Sequence, residues 1–236
     1  MQNNLLEIKK LNVWYKKNKI IIKDLDINIP NNKIIGLIGL NGAGKTTLFN
    51  TICGIHEKNK YTVDSIKYND KKINFTDKDF KKDRFIVFSE DESFQYFTFN
   101  EYIKYTFKCY GKKINNEEID YLCKELNFTQ YRNIIIKKLS LGNKRKVHLI
   151  TGLALHCKLL IFDEPFNGID FESTEKLYNL LKEYKNHGSI IFSSHILETI
   201  CMITDEVYLL ENGNISNTFD SNKFTAENIR KEVTNV

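Results

Sequence analysis

Apolar residues in this chain fall into short runs, each closed by proline, glycine or a polar cluster. Leu5 to Ile8 and Ile20 to Ile29 read as strands, the second alternating at Leu25, Ile27 and Ile29 before Pro30 closes it. Lys33 to Ile38 is a third strand; it leads into a glycine-rich stretch, beyond which Thr47-Leu48-Phe49 opens a helix. The polar segment from Lys58 to Lys82 carries β-like runs at Ser65 to Tyr68 and Lys72 to Phe75, which predicts a meander beside the main sheet. Arg84 to Phe88 is another strand and ends in Ser89-Glu90-Asp91-Glu92. From about Phe99 to Leu126 the spacing becomes helical, which predicts a helical insertion. A helix-like run from Lys144 to Leu155 precedes a buried-strand pattern from Lys158 to Phe162. Leu177, Leu180, Leu181 and Tyr184 make one face of a further helix, and Ser189 to Phe192 is a strand. Glu206 to Leu210 and Asn214 to Phe219 read as a hairpin through Glu211-Asn212-Gly213, and Ser221 to Val236 is polar and weakly helical.

The 236 residues, 42% hydrophobic, suffice for one large α/β domain or two small ones. No run approaches the roughly 18 to 20 apolar residues that span a bilayer. The start, MQNNLLEIKK, lacks a basic region followed by an apolar core, so the expected location is the cytoplasm. Cys53, Cys109, Cys123, Cys157 and Cys201 are odd in number, widely spaced and never C-x-x-C, the pattern of reduced, mostly buried thiols. The net charge of +5 is spread as Lys-Lys pairs rather than gathered into a basic stripe, so no specific nucleic-acid partner is expected. His56, His148, His156 and His187 form no metal-ligand spacing.

The glycine-rich stretch carries the first chemistry. Gly39, four residues, then Gly44-Lys45-Thr46 is the P-loop pattern, entered by a strand and left by a helix as that motif requires. Glycines at 39, 42 and 44 permit positive φ and leave no Cβ in the way, so successive N–H groups can turn inward around phosphate oxygens. The following helix points its positive end at the same anion. Lys45 is expected to reach the β- and γ-phosphates, and the Thr46 hydroxyl to offer Mg²⁺ an oxygen.

Other residues carry two readings each. Trp14 and Tyr15 lie between the first two strands, where an aromatic either packs in a core or stacks on a purine. Ser140 and Gly142, just ahead of a helix, either cap it or bind an anion at its terminus. The three acids at 90 to 92 either bind metal or form a solvated turn. Asp163-Glu164 ends a strand in a chain that owns a P-loop, which suits Asp163 to hold Mg²⁺ and Glu164 to polarise the attacking water. His195 follows the strand at 189 to 192; it is either structural or directed into the ligand crevice of an open α/β sheet.

The order of these pieces resembles the nucleotide-binding domain of ABC transporters, from Leu5 to about Phe219. The set is P-loop at 39 to 47, Ser-x-Gly at 140 to 142, Asp-Glu at 163 to 164, Gly-x-Asp at 168 to 170, and His195. The resemblance implies one ATPase domain over 1–236: an α/β P-loop core, an antiparallel β subdomain, and a helical subdomain at about 90–157. It assigns Asn41, Gly42, Ala43, Gly44, Lys45, Thr46 and Thr47 to ATP, Tyr15 to the adenine, Thr46, Asp163 and Glu90 to Mg²⁺, and Glu164, His195 and Lys45 to catalysis. Ser140, Leu141 and Gly142 match the signature motif, which contacts ATP held by the other subunit of a head-to-tail homodimer or heterodimer, and Asp170 falls in the dimer loop. The implied partner is a separate transmembrane permease, the implied site of action the inner face of the cell membrane, and the subtype most like exporters of drugs, peptides or lantibiotics. A soluble ATP-gated switch acting on nucleic acid or the ribosome is the alternative, although such proteins commonly carry two nucleotide domains or a long coiled coil in one chain. A regulatory subunit with little turnover is a third reading, opposed by the intact Lys45, Glu164 and His195.

Two positions depart from the family. The usual LSGGQ is LSLGN here, with Leu141 for a glycine and Asn143 for the glutamine. The glutamine expected after the strand at 84 to 88 is absent; Glu90 fills its place, with Asp91 the alternative and Gln95 too far along. A carboxylate there adds negative charge beside the triphosphate, so hydrolysis is expected to be slow or unusually Mg²⁺-dependent.

Overall fold

The computed structural model describes residues 4–16, 19–89 and 91–220. The chain opens with a long pair of strands, β1 (Asn4–Lys16) and β2 (Lys19–Pro30), then runs through β3 (Ile34–Ile38) and the glycine loop into α1 (Lys45–Ile52). The meander follows as β4 (Tyr61–Thr62), β5 (Ser65–Tyr68), β6 (Lys71–Lys72) and α2 (Lys78–Lys82), and β7 (Arg84–Val87) closes it. Next come α3 (Phe99–Tyr110), α4 (Asn116–Glu125) and α5 (Leu141–Ala154). The remainder alternates: β8 (Leu159–Asp163), α6 (Phe171–Tyr184), β9 (Ser189–Ser193), α7 (Leu197–Ile203), then the hairpin β10 (Glu206–Glu211) and β11 (Asn214–Asp220).

The strands form two sheets. One is antiparallel in the order β2-β1-β5-β6, with β4 on β1; the other runs β11-β10-β3-β9-β8-β7 and is parallel except for β11. Strands β3, β8 and β9 are buried along their whole length because both faces of the parallel sheet are covered. Alternate residues serve different cores. Ile35, Leu37, Ile161 and Ile191 join α1 and the antiparallel sheet, while Ile34, Leu160, Phe162, Ile190 and Phe192 join the helices from α3 onward. The same pairing fixes the site, since it sets the C-terminal ends of β3, β8 and β9 side by side, with Leu37 and Asp163 both opposite Ser193.

Several boundaries differ from the periodicity. β1 extends to Lys16, so Trp14 and Tyr15 are strand residues rather than a connection. Beyond the buried Leu5, burial alternates at Leu6 and Ile8, then at Leu11 and Val13; this change of parity is absorbed where Lys10 adopts φ 49 and its N–H donates to Asp26 Oδ1 at 2.8 Å. Helical spacing from 99 to 126 is two helices, divided at Gly111 (φ 66) and restarted by the Asn115 cap. Of the run at 72 to 75, only Lys72 joins the paired strand β6, and the short helices α2 and α7 carried too few periods to be read. α5 begins at Leu141 rather than Lys144, so Leu141 and Gly142 belong to its first turn.

All five cysteines are free. The expected burial holds for Cys123 and Cys157, whose thiols it pushes up to about 11 and about 12, whereas Cys53 and Cys201 are half-buried and Cys109 is exposed. Among the described residues no helix is long and apolar enough to cross a membrane. Ser221 to Val236 lies outside the described residues.

Candidate functional site

The glycine loop leaves β3 with no room to spare. A Cβ on Gly39 would stand 2.3 Å from the Leu210 carbonyl oxygen, and Gly42 and Gly44 hold φ of 85 and 112, the left-handed region that favours glycine. Ala43 closes the turn by donating its N–H to the Leu40 carbonyl at 3.1 Å. Gly44 caps α1 without a side-chain hydrogen bond, and the first turn holds no acid. The leading N–H groups and positive end of that helix are therefore available to an anion.

Lys45 folds its ammonium over the loop and donates to the carbonyls of Gly39 (2.7 Å) and Leu40 (3.3 Å). Burial lowers its pKa below the ordinary lysine value, while the charges of Glu164 and Asp163 pull it back up. The next residue makes the link to β8: the Thr46 hydroxyl donates to Asp163 Oδ2 at 2.8 Å. Asp163, 2% exposed, accepts from the Ser193 hydroxyl at 2.6 Å through Oδ1, and the Ser193 oxygen accepts the Glu164 N–H at 3.0 Å. Glu164 sits at φ 53, a conformation a residue of its type rarely adopts. From there its Oε2 meets His195 Nδ1 at 2.9 Å. The result is one connected series from the P-loop helix through two strand ends to the histidine.

At the other end of the cleft stands Tyr15. Its hydroxyl is 3.3 Å from Thr47 Oγ1 and its ring meets the His56 ring edge-on at 5.0 Å, leaving the residue 49% exposed. A cleft of about 650 Å³ runs from Tyr15, Lys16 and Lys19 past Asn41, Gly42 and the start of α1 to Ser89, Asp163 and Glu164. That length, with an aromatic at one end and carboxylates at the other, suits a nucleoside phosphate. Thr46 and Asp163 present hard oxygens 2.8 Å apart, the donor type Mg²⁺ takes, and they fit an ion that keeps most of its waters. Among the described residues no group of three or more His, Cys, Asp or Glu could hold a metal ion. Glu90 lies outside the described residues; Ser89, its neighbour, lines the cleft.

The remaining sequence candidates gather elsewhere. Ser140 caps α5, accepting the Asn143 N–H at 3.3 Å, and Leu141 beside it is 62% exposed. Gly142 is packed so closely that a Cβ would stand 2.1 Å from the Gly168 carbonyl oxygen. Asp170 caps α6 through the Ser173 N–H at 2.9 Å and accepts from the Lys146 ammonium at 2.6 Å. Burial works to raise the Asp170 carboxyl, but the bonds from Lys146 and Ser173 hold it down at about 2. Ser140, Gly142, Gly168 and Asp170 line their own cavity of about 290 Å³, with no lining residue in common with the P-loop cleft.

Two contributors escaped the sequence reading. Ser193 bridges Asp163 and Glu164, a role that depends on the register of β8 against β9. Arg145, inside α5, binds carbonyls at the ends of β7 and β8. No local pattern marks either of them.

Known proteins resemble this chain in sequence and in fold. The family profile described as ABC transporter matches residues 22–167. AlbC of Bacillus subtilis (strain 168), described as an ABC transporter ATP-binding protein, is 34% identical over 215 residues, covering 90% of this chain and 90% of its own. The ribose import ATP-binding protein RbsA of Clostridium tetani (strain Massachusetts / E88) is 32% identical over 230 residues; the match covers 91% of this chain and 45% of RbsA. A solved structure described as the ATP binding subunit of an ABC transporter overlays with a TM-score of 0.84 at 24% identity, covering 98% of this chain and 99% of that one, a likeness of fold.

Proposed function

The chain belongs to the ABC transporter family as an ATP-binding, ATP-hydrolysing subunit, and from that premise we propose how its residues divide the work. Tyr15 stacks on the adenine. The N–H groups from Asn41 to Thr47 cradle the phosphates, and Lys45 leaves the Gly39 carbonyl to meet the β- and γ-phosphates. Thr46 and Asp163 would hold Mg²⁺, with Glu90 as a further oxygen, and the ion would supply charge neutralisation at the phosphates. Glu164 orients the attacking water and takes its proton, and His195 fixes the Glu164 carboxylate and faces the γ-phosphate. What supports this reading is the hydrogen-bonded series Thr46–Asp163–Ser193–Glu164–His195, which brings the Thr46 hydroxyl and the Asp163 and Glu164 carboxylates to one cleft with the P-loop.

The second cluster has its place in the same scheme. Ser140, Leu141 and Gly142, with Asp170 in the dimer loop, complete the ATP site of a second ATPase subunit in a head-to-tail dimer, either a homodimer or a heterodimer. Support comes from their separation from the P-loop cleft and from the exposed Leu141. Residues 1–236 act as one ATPase domain, with 90–157 as its helical subdomain. ATP closes the dimer, hydrolysis reopens it, and the cycle drives a separate transmembrane permease at the inner face of the membrane. For direction we favour export of drugs, peptides or lantibiotics on the sequence resemblance; RbsA, by its name, serves import.

The test is affinity purification of a tagged Glu164→Gln form from detergent-solubilised membranes of its host with ATP present. Recovery of a polytopic membrane protein in stoichiometric amount supports the transporter subunit and supplies the permease for vesicle transport assays, in which uptake into the cell-like compartment would overturn export. Recovery from the soluble fraction with ribosomes or nucleic acid would overturn the transporter role.

A further inference from the structure

Strands β7 and β8 pair in parallel from Arg84 opposite Leu159 to Val87 opposite Phe162, and their ladder ends there. The carbonyls of Phe88 and Asp163 lie one residue beyond it, where the chains leave the sheet for the segment before Glu90 and for Glu164. A side chain from α5 occupies this gap. Arg145 donates from one terminal nitrogen to the Phe88 carbonyl at 2.8 Å and the Asp163 carbonyl at 3.1 Å, and from the other to the Ser89 carbonyl at 2.6 Å. The residue is 5% exposed.

We propose that Arg145 is a positioning residue for ATP turnover: its guanidinium locks the ends of β7 and β8 to α5 and so keeps Asp163 and Glu164 in place beside the P-loop. This rests on the reading of Glu164 given above. Three features carry it. The guanidinium is a planar, permanently charged fork, able to hold three carbonyls in one fixed arrangement where a flexible ammonium cannot. Its bonds fall on main-chain atoms, so what they fix is the backbone from which the Asp163 and Glu164 side chains project. The placement also costs desolvation of a cation, and the negative charge of Asp163 and Glu164 offsets that cost in part. Arg145 stands one helical turn after Gly142, so the element that carries Ser140 and Gly142 is the same one that holds these strand ends.

The experiment compares the full-length parent chain with Arg145→Gln, Arg145→Lys and, as a reference, Glu164→Gln, measuring kcat, KM for ATP and thermal midpoint. Arg145→Gln is expected to lower kcat by about tenfold or more with KM within about twofold, because misplaced catalytic groups slow the chemistry while P-loop binding is untouched. Arg145→Lys should recover part of kcat at the same KM, as an ammonium restores charge and some of the carbonyl bonds. An unchanged kcat in Arg145→Gln would overturn the proposal, as would losses of kcat, KM and thermal midpoint that are equal in both variants, since these describe scaffold alone. If Arg145→Gln does not fold, Arg145→Lys decides: kcat lowered at constant KM supports the proposal and parental kcat overturns it. Parental turnover in Glu164→Gln would instead sink the reading of Glu164, an outcome separate from either Arg145 result.

Discussion

His195 Nδ1 lies 2.9 Å from Glu164 Oε2, and Glu164 reaches it from a left-handed backbone at φ 53. A carboxylate held this way by an exposed imidazole is directed by both its backbone and its partner. Strain of this kind persists where the surroundings impose it, here through the Glu164 N–H bond to Ser193.

On the proposed reading of Glu164 as general base, replacing it with glutamine keeps the shape and removes the proton acceptor. Turnover should fall by about 10²-fold or more, the usual contribution of a general base, with ATP affinity little changed. Single-turnover ATPase assays beside equilibrium nucleotide binding check it; hydrolysis within threefold of the parent would contradict the assignment.

Tyr15 lines the cleft, half-exposed, and its hydroxyl meets α1 at Thr47 Oγ1, 3.3 Å away. Tyr15→Ala should raise KM for ATP by about 3- to 10-fold, the worth of one aromatic stacking contact, and leave kcat alone. Tyr15→Phe should behave like the parent. Steady-state kinetics on both variants separate stacking from the hydroxyl contact.

Gly142 cannot accept a side chain without moving backbone. With a Cβ placed 2.1 Å from the Gly168 carbonyl oxygen, Gly142→Ala should destabilise the fold by about 1–3 kcal/mol, the range for overpacking. Chemical denaturation of the variant gives the value, and an unchanged midpoint would show that the 168–170 loop yields freely.

Asp170 links stability to acid pH. Its carboxyl is held at about 2 in the folded chain, against an ordinary 3.8, so the unfolded chain binds the proton more readily. The stabilisation is complete above about pH 4 and is lost as pH falls towards 2. Asp170→Asn should flatten the thermal midpoint over that window. At neutral pH it should cost about 1–3 kcal/mol, because the Lys146 ammonium, 4% exposed, loses its counter-charge and keeps only neutral acceptors.

Much of this architecture is legible in a single line of residues. The P-loop signals itself because cradling phosphate demands glycines at set spacings, and Asp163-Glu164 follows an apolar run as a parallel strand requires. Strand and helix periods survive in β2, β8, β9 and α6, where burial falls on one face or along a whole strand. Legibility fails where regularity is interrupted locally. The irregularity at Lys10 shifted the parity of β1 and hid Tyr15 in what resembled a connection, and the Ser140 cap placed Leu141 and Gly142 inside a helix.

Local order therefore supplies the chemical inventory: a phosphate loop, an acidic pair, a histidine, an aromatic and a Ser-x-Gly. Their arrangement arises from contacts between residues far apart in the chain. Thr46 meets Asp163 across 117 positions, Ser193 meets it across 30, and Arg145 reaches Phe88 across 57. Spacing along a strand records which face a residue occupies, whereas the neighbour of that strand and its register come from packing two cores against one sheet. That is why the residues could be named before the fold was known, while Ser193 and Arg145, whose roles exist only across strand ends, could not.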